Sequence, residues 1–303
     1  MPSSTVRLFP VAPDQRVAAQ SWFERPDRTP RKPRLASSVV LLRDSPRGTE
    51  TYLAYRRGES PLGKVAFPGG SVEENDDAQG TWYGPAPSAW AKSMGISDAR
   101  LARRHVVAAI RELFEETGIL LAGPDESTLL ESNRAPEWMA ARTAIAAQDA
   151  SFLELLGKRG LGLRTDLLRP LSNWHSPDFA LRRFDTRYFA AVQPLGQDAT
   201  LLEGKGVWAA WKPAGDVIAA RDTPELGDEI GRPDTQGLTL GELVVPPVEI
   251  TLEKLASARG CIAYLSSRRP ATVYRPELVD IDGEPRLAVS PGGAAEGSSQ
   301  HGR

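Results

Sequence analysis

Apolar and polar positions follow different periods in different parts of the chain. Residues 35–42, "LASSVVLL", form an apolar, β-branched run, and residues 51–57, "TYLAYRR", alternate. The turn-rich "RDSPRGTE" near their junction predicts a hairpin. From Ser97 or Asp98, either able to cap a first turn, "ARLARRHVVAAIRELFEET" places Val106, Ile110, Leu113 and Phe114 on one helical side, and Gly118 suits the left-handed exit. Residues 136–158 read as a helix or helix pair, residues 182–194 and 206–213 as strands, and "PPVEITLEKLASARG" as a late helix that opens on prolines and stops at Gly260. Residues 1–34 are rich in Pro and Arg and predict an extended arm. From about residue 289 the composition is that of a disordered tail. These elements interleave, but the strands are few and hairpin-like. The fold class expected is therefore α/β (α+β): one mixed-sheet domain over 35–265 with helices on its faces, followed by a C-terminal extension over 266–303. Two stretches, 77–104 and 125–158, read as insertions and candidate lids or interface elements, since loops this long are seldom idle.

Composition narrows the function classes. A net charge of -2 over 303 residues gives no global reason for nucleic acid or an anionic membrane as partner. The single cysteine, Cys261, suits a reducing compartment, and three histidines supply a His/Cys zinc site poorly. No apolar run approaches a membrane span, and the start lacks a signal-peptide core, so a cytoplasmic protein is expected.

The candidate chemistry is concentrated in residues 111–119, "RELFEETGI". On a helix Glu112, Glu115 and Glu116 share one face, where like charges at this spacing cost about 0.2–0.5 kcal/mol per pair. They also sit at the helix C-terminus, where the macrodipole disfavours anions. Either the face is solvated or something positive offsets it. Mg²⁺, a hard cation that takes oxygen ligands, would do so; the glycine bend of "FPGG" upstream could add a backbone carbonyl, and Arg111 can pair with Glu115 one turn away. With each charged type near 6% and Gly near 7% of residues, this fixed pattern arises by chance in roughly 3 of 10,000 chains of such length, which weighs against a merely solvated face.

"RELFEETGI" resembles the second half of the Nudix box, G-x5-E-x7-R-E-U-x-E-E-x-G-U, at every fixed position from Arg111 to Ile119. "FPGGSVEEND" resembles the first half, with Gly70 as the box glycine. After five intervening residues stands Asp76 in place of Glu, and the spacer 77–110 holds 34 residues where the pattern has seven. Such an interrupted box is similar to that of a peroxisomal Nudix subgroup that includes coenzyme A diphosphatases, although this chain ends in "HGR", without the peroxisomal tripeptide. Further likeness lies in "NWHSPDFALRRFDTRYF", "WAAWKPAGDVI" and "PPVEITL", so it spans roughly 35–260. Before the box, "GKVAFPGG" matches the coenzyme A signature, but Glu59 stands where an arginine is expected.

The resemblance implies a Nudix-type α/β/α sandwich with a mixed β-sheet and helical insertions. It implies Mg²⁺- or Mn²⁺-dependent hydrolysis of a nucleoside diphosphate linked to another moiety: coenzyme A or acyl-coenzyme A first, ADP-ribose, a dinucleotide or a nucleotide sugar as alternatives, and a non-catalytic binding or regulatory module as a third reading. By the same resemblance Glu112, Glu115, Glu116 and the Gly69 carbonyl hold the metal, and Arg111 orients a glutamate. The general base stays open, with Glu203, Glu229 and Glu242 as candidates. The partner implied is a small nucleoside diphosphate derivative, with a homodimer left open.

For substrate phosphates, Arg182 and Arg183 ahead of a strand are candidates, as is one of Arg56 and Arg57. The alternative for each is an ordinary surface ion pair. Trp82, Trp90 and Trp174 lie in irregular segments and could stack on an adenine ring, or else staple their own loops to the core.

Overall fold

The computed structural model describes residues 6–25, 27–58, 60, 62–131, 134–202, 206–266 and 271–291. Strand Arg34–Ser45 is at its centre. Its apolar run is buried on both faces, Val39 and Leu41 on one and Val40 and Leu42 on the other, as a central strand covered on two sides requires. It pairs antiparallel with Gly48–Tyr55, completing the predicted hairpin, and parallel with Phe184–Val192. The sheet order runs Ala209–Pro213, Gly48–Tyr55, Arg34–Ser45, Phe184–Val192, Arg169–His175, Thr272–Tyr274, with the short strands Val65–Ala66 and Gly69–Ser71 added beside the central pair. It is a mixed sheet, as expected.

Two apolar cores flank it. One packs Pro246–Ala256 and Ala214–Ala219 through Val248, Leu252, Leu255 and Val217 against Val40, Leu42 and Leu53. The other packs the long helix Ala99–Thr117 through Val106, Ile110, Leu113 and Phe114 against Val39, Leu41 and Phe189. The result is a sandwich of helices, sheet and helices. Helix Ala99–Thr117 starts at Asp98, whose Oδ1 accepts from the Arg100 and Leu101 amides at 2.8 and 3.2 Å, and stops at Gly118 with φ 78°.

Both insertions are tied to the body. Trp82–Tyr83 pairs with Gly162–Arg164, which pairs with Ala122–Gly123. Helix Pro87–Met94 buries Trp90 edge-on to Phe189, ring centroids 5.9 Å apart. The segment 136–158 is the helix pair Pro136–Ala146 and Phe152–Lys158, with Trp138 edge-on to Phe114.

The arm differs from its expectation. Within residues 1–34, Arg7–Pro10 is a strand and Arg16–Phe23 a helix, because Phe9 and Val11 have core to bury into and Arg7 pairs with Glu253 at 2.5 Å. That strand joins Glu284–Val289 and Glu277–Ile281 in a small antiparallel sheet, so Val289 closes a strand; the rest of the expected tail, 292–303, lies outside the described residues.

Candidate active site

The site is assembled where the C-terminal half of helix Ala99–Thr117 meets the bend at Gly69 and Gly70. The bend runs beside the central strand, Gly69 opposite Ser38 and Gly70 opposite Ser37. At neither position could a side chain be added without displacing a neighbour. A Cβ on Gly69 would meet the Ser37 carbonyl at 2.5 Å, and one on Gly70 would meet the Glu112 carboxylate at 2.5 Å. The bend is thus a cradle shaped for Glu112.

Arg111 ties this region together from inside. Its side chain is buried, and its Nε and Nη2 grip Asp76 in a bidentate pair at 2.8 and 3.0 Å. Nη2 also donates to the Ser71 carbonyl at 2.8 Å, while Nη1 donates to Glu112 at 2.9 Å and Glu115 at 2.7 Å. Burial opposes the guanidinium's charge, but the carboxylates of Asp76, Glu112 and Glu115 more than reverse this and hold it protonated. Asp76, at the departing box position, reaches Arg111 because the 3-10 turn Glu74–Asp77 brings its backbone close; its Oδ2 also accepts from the Glu73 amide at 2.7 Å.

On the open side, Glu116 Oε2 accepts from the Gly69 amide at 3.1 Å and from Arg56 Nη2 at 3.1 Å. Arg56 Nη2 also donates to the Gly69 carbonyl at 2.8 Å and more loosely to that of Phe67 at 3.3 Å. Glu112 is the most deeply set of the three glutamates. Burial, with Glu115 and Glu116 adding to it, pushes its carboxyl up to about 8, against the pull of Arg111. Its charged form therefore gains from any cation brought near.

The donor set suits an oxygen-preferring ion: three carboxylates on one helix face, a backbone carbonyl on the bend, and a cradle that a single Cβ would fill. Among the described residues, no three His, Cys, Asp or Glu side chains stand gathered as a ready metal cage, for the carboxylates turn to Arg111 and Arg56 instead.

Of the sequence-derived candidates, Arg56, Gly69, Arg111, Glu112, Glu115 and Glu116 come together. The others stand apart. Arg57 is exposed beyond the end of strand Gly48–Tyr55 and Arg182 is exposed ahead of strand Phe184–Val192. Arg183 spends its guanidinium on Asp178 at 2.5 Å and on the Arg31 carbonyl at 2.6 Å. Trp82 donates its indole N–H to the Pro85 carbonyl at 2.8 Å and packs half-buried on the core, which staples its own insertion. Trp90 is buried against Phe189, and Trp174 stacks on Tyr274 at 4.1 Å, so both are structural. Glu229 pairs with Lys212 at 2.5 Å and Glu242 closes a capping box with Thr239; Glu203 lies outside the described residues.

One contributor has no sequence signal. Arg142, on helix Pro136–Ala146, is fully buried and donates from Nε to the Glu115 carbonyl at 2.8 Å. No pattern in "EWMAARTAIA" separates it from a surface arginine.

No family model matches the chain, and no curated protein matches it. Solved structures do. A NUDIX hydrolase from Alicyclobacillus acidocaldarius is similar at 25% identity and a TM-score of 0.59, over 79% of this chain and 98% of the other. A NUDIX domain of Shewanella oneidensis NrtR complexed with ADP ribose shares 13% identity at a TM-score of 0.34, over 66% of this chain and 86% of that one. A C. elegans Ap4A hydrolase shares 16% at 0.31, over 65% and 92%. The mixed sheet between helices is that of a Nudix-type fold.

Proposed function

We propose that this chain is a Nudix-type pyrophosphohydrolase, dependent on Mg²⁺ or Mn²⁺, that cleaves a nucleoside diphosphate linked to another moiety, with coenzyme A or acyl-coenzyme A as substrate. One observation carries the reading: three glutamates on a single helix face, set against a side-chain-free bend and held from behind by a buried arginine. The likeness to the A. acidocaldarius NUDIX hydrolase over most of both chains supports the enzyme class. The interrupted box and its flanking motifs support the substrate.

A diphosphate bridge concentrates negative charge and repels an incoming nucleophile. An ion held here would neutralise that charge and lower the pKa of the attacking water. In the reaction water adds to one phosphorus, the P–O–P bond breaks, and the other phosphate leaves; from coenzyme A the products are 4′-phosphopantetheine and adenosine 3′,5′-bisphosphate. Glu112, Glu115, Glu116 and the Gly69 carbonyl would hold the ion. Arg111 keeps Glu112 and Glu115 in position and, being buried, does not touch substrate. Arg56, in contact with Glu116 and the bend, is the candidate for meeting the substrate's phosphates.

Purified protein with Mg²⁺ or Mn²⁺ should release 4′-phosphopantetheine from coenzyme A faster than it cleaves ADP-ribose, a dinucleoside polyphosphate or a nucleotide sugar in the same panel. Preference for one of the latter would overturn the substrate. Glu116→Gln should lower kcat at least about 100-fold, since it removes a carboxylate that would hold the ion stabilising the charge at the reacting phosphate. Turnover equal to the unaltered chain would overturn the ion-holding role.

A further inference from the structure

We infer that Arg142 is a positioning residue for the carboxylate-bearing turn, so that helix Pro136–Ala146 is a fixed wall of the site rather than a lid; this rests on the ion-holding reading of Glu115 and Glu116.

The last carbonyls of any helix lack partners within it. Here that end also carries three carboxylates, and the helix dipole adds to their negative potential. Arg142 answers both problems. Its Nε donates to the Glu115 carbonyl at 2.8 Å, Nη1 to Thr200 Oγ1 at 3.1 Å and Nη2 to the Thr200 carbonyl at 2.7 Å. The Thr200 amide in turn donates to the Thr117 carbonyl at 2.8 Å. Arg142 and Thr200 therefore bracket the turn that bears Glu115 and Glu116, joining two carbonyls two residues apart into one closed network.

The guanidinium makes these contacts with no exposed surface. Burial disfavours the guanidinium's charge, while Tyr52 and the carboxylates of Glu116 and Glu115 act in the opposite direction. A buried charge of this kind is expensive and persists only where it is compensated. Its hydrogen bonds run to carbonyls and a hydroxyl. Around it lie the negative end of the helix, Tyr52 and the carboxylates of Glu116 and Glu115. Trp138, four residues earlier on the same helix, packs edge-on to Phe114 and fixes the helix against the turn from the apolar side. The contact is thus electrostatic and directional as well as steric, and a hydrophobic substitute would keep the packing while losing the hold on Glu115.

The test compares Mn²⁺ affinity and thermal unfolding of the full chain with Arg142→Met, Arg142→Lys and Ile145→Ala, the last a buried residue of the same helix that touches no site carbonyl in the contacts above. Losing a residue that orients metal ligands typically weakens metal binding about 10- to 100-fold. Arg142→Met should weaken Mn²⁺ binding at least about 10-fold, Arg142→Lys should fall between it and the unaltered chain, and Ile145→Ala should stay within about twofold despite a comparable fall in Tm. Should Arg142→Met fail to fold, Arg142→Lys is held to the same comparison, with at least about threefold weakening expected. Arginine variants no weaker than Ile145→Ala would overturn this inference alone. No Mn²⁺ uptake by the unaltered chain would overturn the ion-holding reading and this inference with it.

Discussion

At the scale of single residues, the departures from the box pattern are absorbed by local geometry. Asp76 is one methylene shorter than the glutamate expected there, yet it makes the bidentate pair with Arg111 from a tight 3-10 turn. Gly70 is the opposite case, a residue whose lack of side chain is itself the function. A Cβ there would press on the Glu112 carboxylate, the far end of a side chain that can swing away. Gly70→Ala should therefore leave Tm within about 3 °C while Mn²⁺ affinity and turnover each fall at least about 10-fold, because a displaced ligand costs function before it costs packing. Parallel unfolding and Mn²⁺ titration of the variant check this. Equal Mn²⁺ affinity would show that Glu112 does not need the cradle.

At the scale of elements, helix Ala99–Thr117 is held at both caps and also in its middle, where His105 is fully buried and its Nδ1 lies 3.1 Å from Ser37 Oγ, with the same hydroxyl donating to the His105 carbonyl at 2.9 Å. Burial, with Arg187 nearby, depresses the imidazole to about 4, so the fold holds it neutral. The unfolded chain takes up this proton near pH 6.5 and the folded one near 4. The stabilisation is therefore present above 6.5 and is lost progressively as pH falls from there towards 4. At about 1.4 kcal/mol per pKa unit the loss approaches roughly 3 kcal/mol. Urea unfolding at steps between pH 7 and 4 should show His105→Gln losing less stability than the unaltered chain by about this amount. Parallel curves for the two would refute the assignment.

At the scale of the whole molecule, the first and last described strands are part of one sheet. Strand Arg7–Pro10 lies beside Glu284–Val289, buries Phe9, and sets Arg7 against Glu253 on helix Pro246–Ala256. Deleting residues 1–10 should lower Tm by about 5 °C or more in a thermal melt, since losing a buried Phe costs about 3–5 kcal/mol. An unchanged Tm would mean that this sheet contributes nothing. The insertions, too, are woven into the body: helix Pro87–Met94 through Trp90, and the later helices through Trp138 and Arg142.

What the chain announced by itself is whatever depends on near neighbours: the hairpin, the capped ends of the long helix at Asp98 and Gly118, and the gathering of Glu112, Glu115 and Glu116 on one face. Those follow from the 3.6-residue turn and from dihedral preferences that act over a few residues. Packing decided the rest. The grip of Arg111 on Asp76 spans 35 positions, that of Arg142 on Glu115 spans 27, and the seat of Arg56 beside Glu116 spans 60. Whether an arginine or tryptophan faces a site or a core depends on which distant segments close around it, and no spacing along the chain encodes that.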